Sequence, residues 1–358
     1  MRVILLIFSL TIQISISYCQ DSLSLIFIGD IMGHGGQIKA AYNAETKSYN
    51  YDAVFEKIKP VLDRADITIA NLEVTLAGPP YSGYPQFSSP DALVKSCKRN
   101  GIDVLVTANN HSCDRRKNGM IRTLEVLDAN QIPHTGTFRN SVERKHNNLL
   151  ILRKGAIRIG VLNYTYGTNG LKAQKPTSVN YIDTKTMRLD IEKSKLENLD
   201  QLIVITHWGL EYQTSPNKSQ IKVAEFLLDN GADMVIGGHP HVIQKAIWRK
   251  EKNQLVAFSL GNFVSNQASV NTDGGMMLEL TLVKNEDNIE IKNPGYHLIW
   301  VHKPNVNGKK IYEIIPCNLY ENDTTIMNAT NNSKMNLFIK NARKIMSQNE
   351  NIPEVQLH

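Results

Sequence analysis

Val235-Ile236-Gly237-Gly238-His239-Pro240-His241 runs from an apolar strand into a glycine pair and then into two imidazoles separated by a proline. A short β-branched run closed by glycine and proline reads as a buried strand that stops at a loop. The proline stiffens that loop and keeps both imidazoles near the strand's carboxyl end. The pattern recurs. Ile26-Phe27-Ile28 leads into Gly29-Asp30, with His34 four residues further on. Ile67-Thr68-Ile69-Ala70 leads into Asn71-Leu72-Glu73, and Val104-Leu105-Val106 into Thr107-Ala108-Asn109-Asn110-His111. Ile203-Val204-Ile205 leads into Thr206-His207-Trp208-Gly209, with Glu211-Tyr212 beyond. In an open α/β sheet, ligands bind beyond the carboxyl ends of the strands. Five such ends, distant in sequence, can therefore meet at one place.

Outward from these segments the chain alternates strand and helix and is of the α/β class. Helical spacing is found at about 51–64, 90–100, 118–130 and 217–230, and further strands at 149–153 and 157–163. From Gln244 to about Trp300 the texture turns β-rich, with Lys250-Glu251-Lys252-Asn253 as a hairpin tip. Ile311 to Pro316 suits an edge strand. The domain is expected to span 20–320, followed by a polar C-terminal tail, 321–358, comprising a solvated helix and a frayed end.

The 358 residues, 42% of them hydrophobic, suffice for one large core or two modest ones. The net charge of +6 is spread along the chain. The basic residues Lys95 to Arg99 and Arg115 to Lys117 read as solvated helix faces, and no nucleic-acid motif accompanies them. Met1-Arg2 followed by Val3 to Phe8 has the order of a secretory signal, 1–19, ending at Ser17-Tyr18-Cys19. Export to the periplasm, cell envelope or medium follows. A lipidated Cys19 is the less favoured alternative, because bulky Tyr18 precedes it. Cys97, Cys113 and Cys317 remain, an odd number that suits buried thiols better than a disulfide framework.

Imidazole, carboxylate and amide oxygen together suit Zn, Mn or Fe rather than Ca, and the lack of thiolates argues against a structural zinc knot. Taken singly, each piece has an ordinary explanation. Gly-Asp is commonly a turn, and Asn71 and Asn110 suit turns or caps. Glu73 suits a surface, and His207 beside Trp208 suits a packed histidine. Five coinciding strand ends point instead to a shared site. Trp208, Glu211 and Tyr212 suit a substrate wall with an aromatic platform, local packing being the alternative. Asn262 either contacts substrate or caps a turn.

Gly29-Asp30-Ile31-Met32, Asn71-Leu72-Glu73, Ala108-Asn109-Asn110-His111, His207-Trp208-Gly209-Leu210-Glu211-Tyr212, Gly238-His239-Pro240-His241 and Ser259-Leu260-Gly261-Asn262-Phe263 resemble, in order, the motifs of the CapA/PgsA family. This capsule-synthesis, poly-γ-glutamate-associated family is a branch of the calcineurin-like metallophosphoesterase superfamily. The resemblance covers about Leu23 to Met277. It implies a four-layer α/β/β/α metallophosphoesterase-like sandwich holding two divalent metal ions of Mn, Fe or Zn. Asp30 and His241 would serve the first ion, Glu73 would bridge, and Asn110, His207 and His239 would serve the second. His111 would protonate a leaving group. Two departures stand out. Met32 occupies the place of the histidine in the superfamily's Asp-x-His, leaving His34 as the candidate replacement. Asn71-Leu72-Glu73 replaces the usual Gly-Asp-x-x-Asp.

The resemblance implies two functions. One is a metal-dependent hydrolase of phosphoester or related bonds in capsule or envelope polymer metabolism. The other is a non-catalytic accessory protein for poly-γ-glutamate or capsule synthesis, anchoring or export. The expected partners are an anionic polymer or phosphoester-type substrate and envelope or capsule-assembly proteins.

Overall fold

The computed structural model describes residues 21–286, 288–323, 325–347 and 351–357. The expected secretory signal, 1–19, with Cys19 at its end, lies outside the described residues.

Two sheets carry the fold. The first is eight-stranded, in the order Glu313–Pro316, Asn288–His302, Gly274–Asn285, Asp21–Ile31, Ile67–Leu72, Val104–Val106, His134–Thr135. Its remaining strand, Asn262–Val264, pairs with the end of Asp21–Ile31. The second sheet has six strands, in the order Ala246–Arg249, Gln254–Ala257, Met234–Gly238, Gln201–His207, Ile157–Thr165, Leu150–Lys154.

Alternation along the strands creates the layers, because successive side chains point to opposite faces. Leu23, Leu25 and Phe27 join Ile159, Ile203 and Ile236 of the other sheet in one core. Their neighbours Ile26 and Ile28 instead pack with Phe55, Leu62, Leu93 and Leu127 on the helical side. In the second sheet Leu162, Val204 and Val235 turn away from its partner, toward Met187, Ile191 and Leu227 of the helices Thr184–Ser194 and Lys218–Asn230. Strands covered on both faces must be apolar throughout, which is why these segments read as continuous hydrophobic runs. The α/β/β/α sandwich follows.

Local signals set the element ends. Lys218–Asn230 starts at a reciprocal cap between Asn217 and Gln220 and stops at Gly231, whose φ of +118° a side chain would resist. The helix expected over 51–64 is instead two short ones, Asp52–Phe55 and Lys59–Leu62. Pro60, lacking an N–H, can begin a helix but not continue one. The hairpin at 250–253 joins two antiparallel strands, and Glu313–Pro316 lies at the sheet edge, both as expected. Cys97, Cys113 and Cys317 are buried free thiols.

The polar tail requires correction. Ala329–Met346 is a helix whose Met335, Phe338, Ile339, Ala342 and Met346 are buried in the core between the sheets, beside Leu298 and Trp300. Beyond it, Ile352 is buried and the backbone N–H of Val355 donates to Tyr296. Arg343 pairs with Glu321 and Glu354, pinning both ends of the segment. Asn, Lys and Ser dominate its composition, but its apolar residues fall three to four apart on one face. Phe338→Ala should therefore destabilise the whole domain by about 3–5 kcal/mol, read as a lowered urea midpoint. A change below about 0.5 kcal/mol, the usual size for a surface site, would return the segment to the status of a tail.

Candidate metal centre

Where the strands of the two sheets end, their polar side chains converge. Asp30 ends its strand as a neighbour of Asn71 and Asn262 on adjoining strands. His207 ends the parallel strand beside Gly238. Glu73, His207 and His239 form one group of ligand atoms lying within 4.8 Å of each other, and Asp30, Glu73 and His241 form another. Glu73 belongs to both. Its Oε1 lies 3.4 Å from His207 Nε2 and 3.8 Å from His241 Nε2. His207 Nε2 is also 2.9 Å from Asn110 Oδ1, and His241 Nδ1 is 3.3 Å from Asp30 Oδ2.

Backbone geometry brings the groups this close. His239 and His241 take φ values of +94° and +56°, a region that non-glycine residues enter at a cost of about 1–3 kcal/mol. A side chain at Gly238 would place its Cβ 2.7 Å from Asp30 Oδ1, so only glycine lets the two sheets' strand ends approach.

The donor set fits divalent cations. Glu73 is fully buried, and neither of its oxygens has a hydrogen-bond partner; buried His239 Nδ1 also has none. Burying an uncompensated carboxylate costs several kcal/mol, a penalty that a bound cation removes. Burial, and next the charge of Asp30, raise the Glu73 carboxyl well above its usual range. Burial would raise Asp30 too, but the hydrogen bond from His241 and the charges of His207 and His241 override it and hold Asp30 far below that range. Burial lowers His207 to about 3 and His239 to about 2. Burial would also lower His241, yet the charge of Glu73 and the bond to Asp30 lift it to about 9.

These shifts have a consequence for metal uptake. Without metal at pH 7, His241 holds a proton while His207 and His239 do not. Ligation needs a neutral His241 and an ionised Glu73, so uptake expels protons and affinity falls as the pH drops below about 9. Calorimetric titration at pH 7 in buffers of unequal ionisation enthalpy should show about one or more protons released per chain. Heats independent of the buffer would contradict this protonation pattern.

Three expected site residues, His34, Trp208 and Asn262, are placed differently from their expected roles. His34 lies outside both ligand groups: after Ile31 the chain turns into the helix Gly35–Ala41, and His34 Nδ1 sits 3.2 Å from Gln37 Oε1. Met32 gives no ligand either, being buried on the helical side. Trp208 is buried and donates from Nε1 to the Phe258 carbonyl at 2.9 Å, so it anchors its loop and is no substrate wall. Asn262 is buried, accepting from His241 Nδ1 at 3.0 Å and donating to the Thr272 carbonyl at 2.8 Å, which leaves it to orient His241. Glu211 and Tyr212 are exposed, and the Tyr212 ring lies 6.4 Å from that of His241.

His111 is buried, with Nδ1 2.7 Å from Asp114 Oδ2, and Asp114 also accepts from the Phe87 N–H at 2.7 Å. Asp114 went unrecognised in the sequence, although a carboxylate three residues after an Asn-His pair was its signal. Tyr166 was also missed. It follows the Ile157–Thr165 strand, a sixth end to which the same strand-end rule applies. Its ring lies 4.5 Å from that of His239. Burial, then the charges of Glu211 and Glu73, push its hydroxyl up to about 12. From the same strand, Asn163 Oδ1 accepts from the Ala108 N–H at 2.6 Å and steadies the Asn109–His111 turn. Asn71 donates to Asp30 Oδ1 at 2.8 Å and accepts from Asn109, linking three strand ends.

An α/β/β/α sandwich with these ligand groups at its strand ends is of metallophosphoesterase-like fold. The chain belongs to the family of the bacterial capsule synthesis protein PGA_cap, whose family model matches residues 24–267. It is 28% identical over 314 residues to the capsule biosynthesis protein CapA of Bacillus anthracis, covering 84% of this chain and 68% of that protein. It is also 28% identical over 277 residues to the PGA biosynthesis protein CapA of Bacillus subtilis strain 168, covering 75% and 70%. Among solved structures, a candidate 5′-nucleotidase from Staphylococcus aureus in complex with α-ketoglutarate superposes with a TM-score of 0.51 at 15% identity, over 89% of this chain and 58% of that one. The calcineurin-like phosphoesterase YfkN of Bacillus subtilis gives a TM-score of 0.46 at 14% identity, over 91% and 98%.

Proposed function

We propose that this chain is an exported metal-dependent hydrolase of phosphoester or related bonds, serving capsule or envelope polymer metabolism. The observation that carries the proposal is Glu73: fully buried, unbonded, and shared by two groups of candidate ligands. Export is supported by the basic start and apolar run of residues 1–19. Among the described residues no helix is long and apolar enough to cross a membrane.

Asp30 with His241, and His207 with His239 and Asn110, would hold one divalent ion each, with Glu73 between them. Such ions supply Lewis-acid stabilisation of substrate oxygens and acidify a water. The chain's own groups do the rest. The contact with Asp114 keeps a proton on His111 Nδ1, so Nε2 is the nitrogen that passes a proton to a departing oxygen. Asn109 accepts from the His111 N–H at 3.0 Å and donates to the Leu72 carbonyl at 2.7 Å, locking the acid's loop to the strand that carries Glu73. Asn262 fixes the His241 tautomer, leaving Nε2 toward Glu73. The Tyr166 ring lies against that of His239, with centroids 4.5 Å apart, and limits the directions from which that imidazole is reached.

The full chain loaded with Mn2+ should hydrolyse bis(p-nitrophenyl) phosphate, lose that activity to a chelator and regain it with added metal. The capsule-related descriptions of the relatives favour a second reading, an accessory protein that binds or exports polymer while holding metal without turnover. Two bound ions with no hydrolysis of any phosphoester tested would decide for it.

A further inference from the structure

The rim of the centre carries a carboxylate that the chemistry above does not use. Glu211 is exposed, and among the described residues no basic side chain lies within ion-pair distance of it. Its loop is nonetheless rigidly held. Trp208 anchors one end, the Tyr212 N–H donates to the Pro240 carbonyl at 2.8 Å, and Gln244 Nε2 donates to the Gln213 carbonyl at 2.7 Å. Tyr212 takes a φ of +66°, a conformation disfavoured for a side chain of its size. The loop thus presents a carboxylate with no cationic partner among the described residues, and a tyrosine beside it, without covering them.

Two part-exposed tyrosine rings lie beside the candidate ligands near that loop. Tyr212 is 53% exposed and lies beside His241; Tyr166 is 47% exposed and lies against His239. The Tyr212 N–H bond to the Pro240 carbonyl seats Glu211 against the His239–His241 turn, and burial, then the Glu211 charge, raise both tyrosine hydroxyls. A negative charge on this loop is a poor device for drawing in a purely anionic phosphoester. A carboxylate near two part-exposed rings is instead suited to an organic cation, which gains from both the charge and the π systems.

We propose that Glu211, with the rings of Tyr166 and Tyr212, binds an ammonium group of the substrate, so that the centre selects a zwitterion with its oxyanion inward and its cation at the mouth. The inference rests on the reading of the centre as one that takes an oxyanion on bound metal, and names the substrate class for it.

The test titrates the Mn2+-loaded full chain with phosphocholine and, separately, with methyl phosphate, in the wild type and in Glu211→Gln. Wild type should bind phosphocholine about tenfold more tightly than methyl phosphate. Glu211→Gln should weaken phosphocholine about fivefold and tighten methyl phosphate, from which it removes a repelling charge. Opposite signs separate recognition from damage, since a misfolded rim would weaken both. Methyl phosphate binding with no preference for phosphocholine overturns this inference and leaves the hydrolase reading standing. In a third titration, tighter binding of glucose 1-phosphate than of phosphocholine overturns it in favour of sugar stacking on the tyrosines. Failure of both phosphates to bind the metal-loaded protein overturns the inference and the oxyanion reading together.

Discussion

Glu73→Gln is expected to abolish stable metal binding while making the metal-free protein more stable. Both effects come from one carboxylate. It belongs to both ligand groups and finds no hydrogen-bond donor in its buried site. An amide of nearly the same shape supplies neither the charge nor a second anionic oxygen, so metal content after exhaustive dialysis should fall from about two ions per chain to well below one. In chelator, replacing a desolvated carboxylate by a neutral group should raise the unfolding free energy by about 1–3 kcal/mol. The sign follows from protonation. Burial and Asp30 raise the folded-state carboxyl of Glu73, so ionising it opposes folding, and that opposition grows as the pH rises through its unfolded value. The gain from Glu73→Gln should accordingly be small at pH 4 and larger at pH 8. A variant that loses stability at every pH would show that Glu73 is a packing residue and not a ligand.

Replacing His111 by alanine, or Asp114 by asparagine, should lower turnover by about 10²- to 10⁴-fold while leaving both ions in place. His111 belongs to neither ligand group, and Asp114 touches it through Nδ1 at 2.7 Å. The leaving group distinguishes a proton donor from a structural residue. p-Nitrophenolate departs without a proton, so the loss on bis(p-nitrophenyl) phosphate should be the smallest. An alkyl phosphodiester, whose alkoxide must be protonated as it leaves, should show the full effect. Equal losses on both substrates, or loss of metal with His111→Ala, would place His111 in the support of the ligands instead.

The strand ends made the centre legible. Asp30, Glu73, Asn110, His207, His239 and His241 are far apart in sequence but each follows a hydrophobic run, and the rule that α/β sites form beyond strand ends brings them together. The layering was legible for a related reason, because strands sandwiched between helices and a second sheet must be apolar on both faces. Residues whose placement depends on the path of a loop were less legible. His34 looked close enough to replace the histidine displaced by Met32, but the helix at Gly35 carries it aside. Trp208 and Asn262 each carry two readings in the sequence, substrate contact or a local structural role, and bonds to Phe258 and His241 decide for the second. The terminal helix was hidden by averaging: its buried face of Met335, Phe338, Ile339, Ala342 and Met346 is diluted by solvent-facing Asn and Lys. Composition describes a segment's mean character, whereas burial follows its periodicity.

Two ions held on either side of one carboxylate are the central expectation. Crystals grown with Mn2+ and measured near the manganese edge would locate them directly. The prediction is two anomalous peaks about 3.5–4 Å apart, one beside Asp30 and His241 and the other beside His207 and His239, with Glu73 between them. A crystal saturated with Mn2+ that shows no peak among these side chains, or peaks only elsewhere on the surface, would contradict it.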